Sequence, residues 1–333
     1  MIVSCAYGIV EESTARFSRF SFNEVMQRSS KIMNIKACIS SWLIASVSLV
    51  ASVAHANEVT LPCKGITLNA NLELAAGKTA ADGVILITHA GLANRGMELY
   101  VYLQKLFKQH GYNTLAINLS LGLDNRHGMY DCKVTHRHRY TDAADEIGAW
   151  VDWLQKQGAK RVVLLGHSRG GAETALYAAE RDNPLVKAVV LLAPDTRETN
   201  DATAYLRRYK KPLAPVLEKA QKLVKEGKGN TVLEHVDFLY CPDTSATADT
   251  FVSYYGPDPR LDTAYLIPKI RKPTLVVLAG DDEVVVNDKK FMPLANGKRV
   301  QIKVIDGAGH FFRDLNADDA ADAITAFLKS VGY

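Results

Sequence analysis

The chain has 333 residues, of which 47% are hydrophobic and 23% charged, which supplies a large buried core and excludes a disordered tail. A formal net charge of +4, dispersed along the sequence, excludes the dense basic surface that a nucleic-acid partner or a membrane surface requires.

Residues 33–56 carry Lys36 as a short basic region, an apolar run from Trp42 to Val53, and Ala54-His55-Ala56 as a small-x-small cleavage site. They are expected to be a secretory signal cut after Ala56, because the apolar run is too short to span a bilayer comfortably. Residues 1–32, ahead of Met33, are expected to be an over-called start or an unusually long leader. The protein is therefore expected to be periplasmic or secreted, with no stable membrane span once the signal is gone. Three cysteines remain beyond it, Cys63, Cys132 and Cys241. An exported chain permits a disulfide among them, and Cys132 with Cys241 is favoured because both fall in loops expected on one face.

From residue 57 onward the pattern is strand and helix in alternation. Residues 58–75 alternate loosely and predict two leading strands, paired antiparallel at a sheet edge. GVILITHAG (83–91) is a continuous apolar run that suits a strand covered on both faces. Leu99, Leu103 and Leu106 share one helical face, closed by Gly111. NTLAINLSL (113–121) predicts another strand, and Thr141 heads a helix whose stripe is Ile147, Val151 and Leu154. Further strands are expected at 186–194, 273–281 and 300–306, with a closing helix from Asp318 to Val331. The fold class is thus α/β: a mostly parallel, doubly wound sheet of about eight strands. Residues 196–265 interrupt the alternation. They are polar, with helices expected near 215–227 and 246–255 and no buried strand, and are expected to form an inserted helical lid or cap.

The stretch with the clearest chemistry is RVVLLGHSRGGAETALYAAE (161–180). An apolar strand meets Gly166-His167-Ser168-Arg169-Gly170 and a helix follows at once, so Ser168 is expected at the tip of a strained turn. The helix start behind it supplies free N–H groups that favour negative charge beside the serine oxygen. Ligands of such sheets bind beyond the carboxyl ends of the strands. Gly307-Ala308-Gly309-His310 follows the last strand, and His310 is a candidate general base. Asp282, after the strand before it, is the candidate that orients the imidazole; Asp281 and Asp195 are its alternatives.

The order Ser168, Asp282, His310, with the serine turn, Asp282-Glu283-Val284-Val285 and Gly307-Ala308-Gly309-His310, resembles the α/β-hydrolase superfamily over roughly residues 58–333. The resemblance implies a serine hydrolase with a Ser-His-Asp triad, acting on small-molecule esters without metal or organic cofactor. It also implies an oxyanion hole from two backbone N–H groups, here Arg169 and Gly91. The sequence departs from the usual His-Gly at His89-Ala90, so the second donor is Gly91 or Leu92. Thioesterase, peptidase and acyltransferase are alternatives with the same machinery. A non-catalytic ligand-binding relative is the alternative from another class, supported by Ala90 alone.

DNRHGMYDCKVTHRHRY (124–140) gathers Arg126, His127, His136, Arg137, His138 and Arg139 after the fourth strand. A solvated basic loop is one expectation, and a zinc site using His136, His138, Asp131 and Cys132 is another. The third makes Arg126 and His127 a substrate-facing rim favouring anionic or polar acyl groups.

Overall fold

The computed structural model describes residues 57–286, 288–297 and 299–333. The expected leader and signal lie outside them. Strands β1 (Asn57–Cys63) and β2 (Ile66–Glu73) form a hairpin. Lys64 and Gly65, both at positive φ (48° and 86°), make its two-residue turn. Then follow β3 (Val84–Thr88), α1 (Glu98–Gln109), β4 (Asn113–Asn118), α2 (Asp142–Lys156), β5 (Val162–His167), α3 (Arg169–Glu180) and β6 (Val186–Leu192). After an insertion, β9 (Thr274–Ala279), β10 (Val300–Ile305) and α8 (Leu315–Ser330) complete the chain; the insertion itself holds α4 (Ala202–Tyr209), α5 (Ala214–Lys225), β7 (Val232–Phe238), β8 (Cys241–Thr247), α6 (Ala248–Tyr255) and the short α7 (Thr263–Leu266).

The main sheet has eight strands in the order β1-β2-β4-β3-β5-β6-β9-β10. From β4 to β10 every neighbour is parallel, and only the β1–β2 and β2–β4 pairings are antiparallel. Strand side chains alternate between faces, and here both faces are dry. Leu86, Leu164 and Leu191 pack with Trp150 and Leu176 on the α2/α3 side. Ile85, Ile87, Val163 and Val190 pack with Leu103, Phe107, Ile324 and Phe327 on the α1/α8 side. All six parallel strands consequently present their carboxyl ends along one edge of the domain.

The insertion has the two expected helices, as α5 and α6, but is not purely helical. Strands β7 and β8 pair antiparallel in a sheet of their own, with Phe238 and Cys241 fully buried. Register shifts between Leu233 and Val236 and between Val236 and Phe238 disrupt the two-residue alternation that would have signalled them. His235, Leu239 and Asp243 stand at positive φ along the same hairpin. Its core is aromatic: Phe238 meets Phe251, Tyr254 and Tyr255 at ring separations of 5.3–6.0 Å. A disulfide joins Cys132, in the loop after β4, to Cys241 at the start of β8, which leaves Cys63 as the free thiol among the described residues.

Candidate active site

Strand β5 runs straight into α3 through Ser168, whose φ of 56° and ψ of −126° lie far from the usual basins. Such a conformation costs about 1–3 kcal/mol and persists only where the surroundings over-determine it. Here the Ser168 N–H donates to Leu192 O at 2.9 Å, while its carbonyl accepts from Gly171 N (2.9 Å) and Asp195 N (3.1 Å). The flanking glycines are required by space. A Cβ on Gly166 would overlap the Gly170 carbonyl and Thr174 Oγ1, and one on Gly170 would overlap the His89 carbonyl.

The loops after β9 and β10 bring the other two residues to the serine. His310 Nε2 lies 2.9 Å from Ser168 Oγ, and His310 Nδ1 lies 2.9 Å from Asp282 Oδ2. Both side chains of the His310–Asp282 pair are almost wholly buried. Burial alone would raise the Asp282 carboxyl, but the His310 hydrogen bond and charge, with the Val285 and Val284 N–H groups, hold it below its ordinary value. An ionised carboxylate accepts from the imidazole, which fixes the tautomer with a free acceptor nitrogen toward the serine. Asp281 is exposed, and its N–H is spent on Ala308 O at 2.9 Å. Asp195 faces the serine rather than the histidine: its Oδ1 is 3.4 Å from Ser168 Oγ, and its Oδ2 meets Asn200 Nδ2 at 3.1 Å and Arg169 at 3.5 Å.

Arg169 is the first residue of α3, so its N–H has no partner within the helix. Its side chain turns inward onto Asn200 and Asp195, and although burial would lower the guanidinium, Asp195 outweighs it and holds the charge firmly. The orientation of the Gly91 amide follows from its neighbours. Arginine only donates, so the contact of Arg126 with His89 Nε2 makes that nitrogen an acceptor and puts the ring proton on Nδ1. That proton is donated to Ala90 O at 3.1 Å, and Ala93 N donates to the same oxygen at 2.9 Å. In a planar trans peptide the N–H points opposite to the carbonyl, so the Gly91 N–H is directed away from His89. The Ala90 N–H is used elsewhere, on Tyr100 Oη at 2.7 Å.

Sequence reasoning passed over Tyr100 and His167, which tie these loops together. The Tyr100 hydroxyl accepts from Ala90 N and donates to His167 Nδ1 at 2.9 Å; His167 Nε2 then donates to His310 O at 2.9 Å. Burial first, and then the neighbouring His310, push His167 down to about 3, so it stays neutral and keeps both roles.

The basic loop departs from two of its expectations. Arg126 is 5% exposed and is no rim residue. It donates to Leu119 O, Gly128 O and Ala93 O, and to His89 Nε2, so its charge is spent inside the protein. His127 is exposed, but it faces Glu58 at 3.1 Å and is absent from the lining of the cavity at Ser168. Of the zinc set, Cys132 is in the disulfide, and His136 and His138 bond each other at 3.2 Å. Among the described residues no three potential ligands come together.

Ser168, Arg169, His310 and Gly91 open onto one cavity of about 310 Å³, whose walls are otherwise apolar and include Met129, Tyr240, Val284 and Phe311. A larger concavity of about 780 Å³ between β10 and α8 holds no member of the serine constellation. Among the described residues no helix is long and apolar enough to cross a membrane.

Comparison with known proteins agrees with this architecture. A family model described as the Alpha/beta hydrolase family matches residues 84–326. A protein of Mycoplasma pneumoniae named as an esterase/lipase is 26% identical over 226 residues, covering 62% of this chain and 75% of that protein. The solved structure of Est1E from Butyrivibrio proteoclasticus matches with a TM-score of 0.57 at 19% identity, over 82% of this chain and 98% of that one. A monoacylglycerol lipase of Paleococcus ferrophilus matches with a TM-score of 0.55 at 18% identity, over 80% of this chain and 99% of that one. At these identities the solved structures speak for the fold.

Proposed function

Because the chain belongs to the alpha/beta hydrolase family, with esterase/lipase-like relatives, we propose that it is a serine hydrolase that cleaves carboxylic esters of small molecules through Ser168, His310 and Asp282. The observation that carries this reading is the continuous contact from Ser168 Oγ to His310 Nε2 and from His310 Nδ1 to Asp282. His310 takes the Ser168 proton as the oxygen attacks the ester carbonyl, and Asp282 stabilises the imidazolium that results. The carbonyl oxygen, now negative, is held by the N–H groups of Gly91 and Arg169; a donor of this kind is worth about 3 kcal/mol in the transition state. The C–O bond to the alcohol then breaks and His310 returns the proton to the leaving oxygen. Water, deprotonated by the same imidazole, releases the acid and restores the serine.

Residues 57–333 are proposed as the hydrolase domain, with residues 196–265 as its lid. Export to the periplasm or the exterior is proposed from the composition of residues 33–56, and the Cys132–Cys241 disulfide supports an oxidising compartment. The test of the activity is labelling with a fluorophosphonate followed by mass spectrometry. Labelling confined to Ser168 and abolished by His310→Ala is the expected result. A folded protein that leaves the probe unreacted overturns the reading and favours a ligand-binding relative.

A further inference from the structure

Three aromatic rings in the wall of the catalytic cavity are each fixed by a contact outside it. Tyr130 stacks on His136 with centroids 4.5 Å apart and planes at 19°, and its hydroxyl reaches Thr135 O. The Tyr240 ring lies under the Arg208 guanidinium at 4.4 Å, and Arg208 is itself held by Leu239 O. Phe311 meets the His167 ring edge-on at 5.9 Å. The same lining includes Met97, Met129 and Cys132. The single guanidinium of the lining, that of Arg169, is bonded to Asn200 and has its charge balanced by Asp195, while its Nε has no hydrogen-bond partner.

From this geometry, and resting on the ester-hydrolase reading, we propose that the acyl group taken by this site is a planar aryl acyl group of the benzoyl or cinnamoyl class. Fixed rings favour another ring in offset or edge-on contact, and thioether sulfur favours aromatic edges. A rigid planar acyl group also enters with few rotors to freeze, whereas an alkyl chain surrenders its rotamer freedom. At about 310 Å³ the cavity is at the small end for ligand sites, so an extended alkyl chain would run out past Met129 into water.

The experiment compares methyl cinnamate with methyl nonanoate, whose acyl groups have equal carbon counts and the same alcohol. We expect kcat/KM to favour the cinnamate by about tenfold, the scale of one or two aromatic contacts. Met129→Ala and Tyr240→Ala are expected to shrink that ratio by about threefold to tenfold, mainly through KM for the cinnamate, while Tyr240→Phe retains it. Equal or better turnover of the nonanoate, or a ratio indifferent to both alanine variants, overturns the proposal. Binding of the two intact esters to Ser168→Ala separates this inference from the activity it rests on. Tighter binding of the cinnamate supports the aryl slot even if the wild-type protein cleaves neither ester, a result that would sink only the hydrolase reading. Tighter binding of the nonanoate sinks the slot whatever the turnover.

Discussion

Replacing Arg126 by Met distinguishes a buried support from a substrate-facing charge. Burial lowers this guanidinium to about 10, although Glu146 opposes the shift, so it is still charged at neutral pH. Its donors satisfy three backbone carbonyls, those of Leu119 at 2.8 Å, Gly128 at 2.6 Å and Ala93 at 2.9 Å, and they orient His89 besides. A buried acceptor stripped of its partner costs about 1–3 kcal/mol. Gly128 is exposed and can turn to water, whereas Leu119 and Ala93 are buried and cannot. Breaking such a network is therefore expected to cost about 3–5 kcal/mol of unfolding free energy. Because His89 would lose one of the two donors that hold its Nε2, with the Leu119 N–H remaining, the Ala90–Gly91 peptide should loosen too, and kcat should fall with stability. Urea unfolding followed by tryptophan fluorescence measures the first, and hydrolysis of a neutral ester the second. A loss below about 1 kcal/mol, accompanied by a changed preference between neutral and anionic esters, would return Arg126 to the substrate rim and refute the structural account.

Three further outcomes are expected. Tyr100→Phe removes the hydroxyl between Ala90 N and His167, and kcat should drop by about tenfold with KM nearly constant, the worth of one buried hydrogen bond; unchanged steady-state kinetics would show that the link is dispensable. Glu146 is raised to about 7, chiefly by burial against the opposing hydrogen bonds from Ser120, so the folded state binds the proton more tightly than the unfolded one. Its contribution to stability is accordingly present at low pH and lost as pH rises from about 4.5 to 7, by about 3 kcal/mol, and a Glu146→Gln protein should have a flatter stability profile across that window. Gly170→Ala places a methyl group against the His89 carbonyl, and the variant should be destabilised by several kcal/mol, read as a fall in the urea midpoint; a midpoint equal to the wild type would mean that the loop after β3 yields freely.

What the sequence disclosed was whatever depends on short-range pattern. The apolar run 162–165 between two turns could hardly be anything but a buried strand, and the glycines about Ser168 announce close backbone approach wherever they occur. The carboxyl-end rule then placed His310 and Asp282 near the serine, where their side chains are found. Arg126 defeated the same reasoning because an arginine in a polar loop looks identical whether its fork meets water or three interior carbonyls. The β7–β8 hairpin was hidden by bulges that offset its alternation, and by polar residues on a ribbon with one face in solvent. Tyr100 carries no signal at all, being one more apolar position on the buried stripe of α1, and its hydroxyl acquires a role only through a partner 67 residues away.

The Cys132–Cys241 bond, which joins residues 109 apart, makes a closed covalent ring that contains Ser168 but neither Asp282 nor His310. Lys225 to Lys228 form an exposed turn on that ring, with two lysines open to a trypsin-like protease. One cut there would release no fragment, yet it would leave Ser168 on one polypeptide and Asp282 and His310 on another, joined covalently by a single sulfur–sulfur bond. The nicked protein would migrate as one species on a non-reducing gel and as two once a thiol is added. After such a cut, redox potential would decide whether Ser168, Asp282 and His310 still belong to the same molecule.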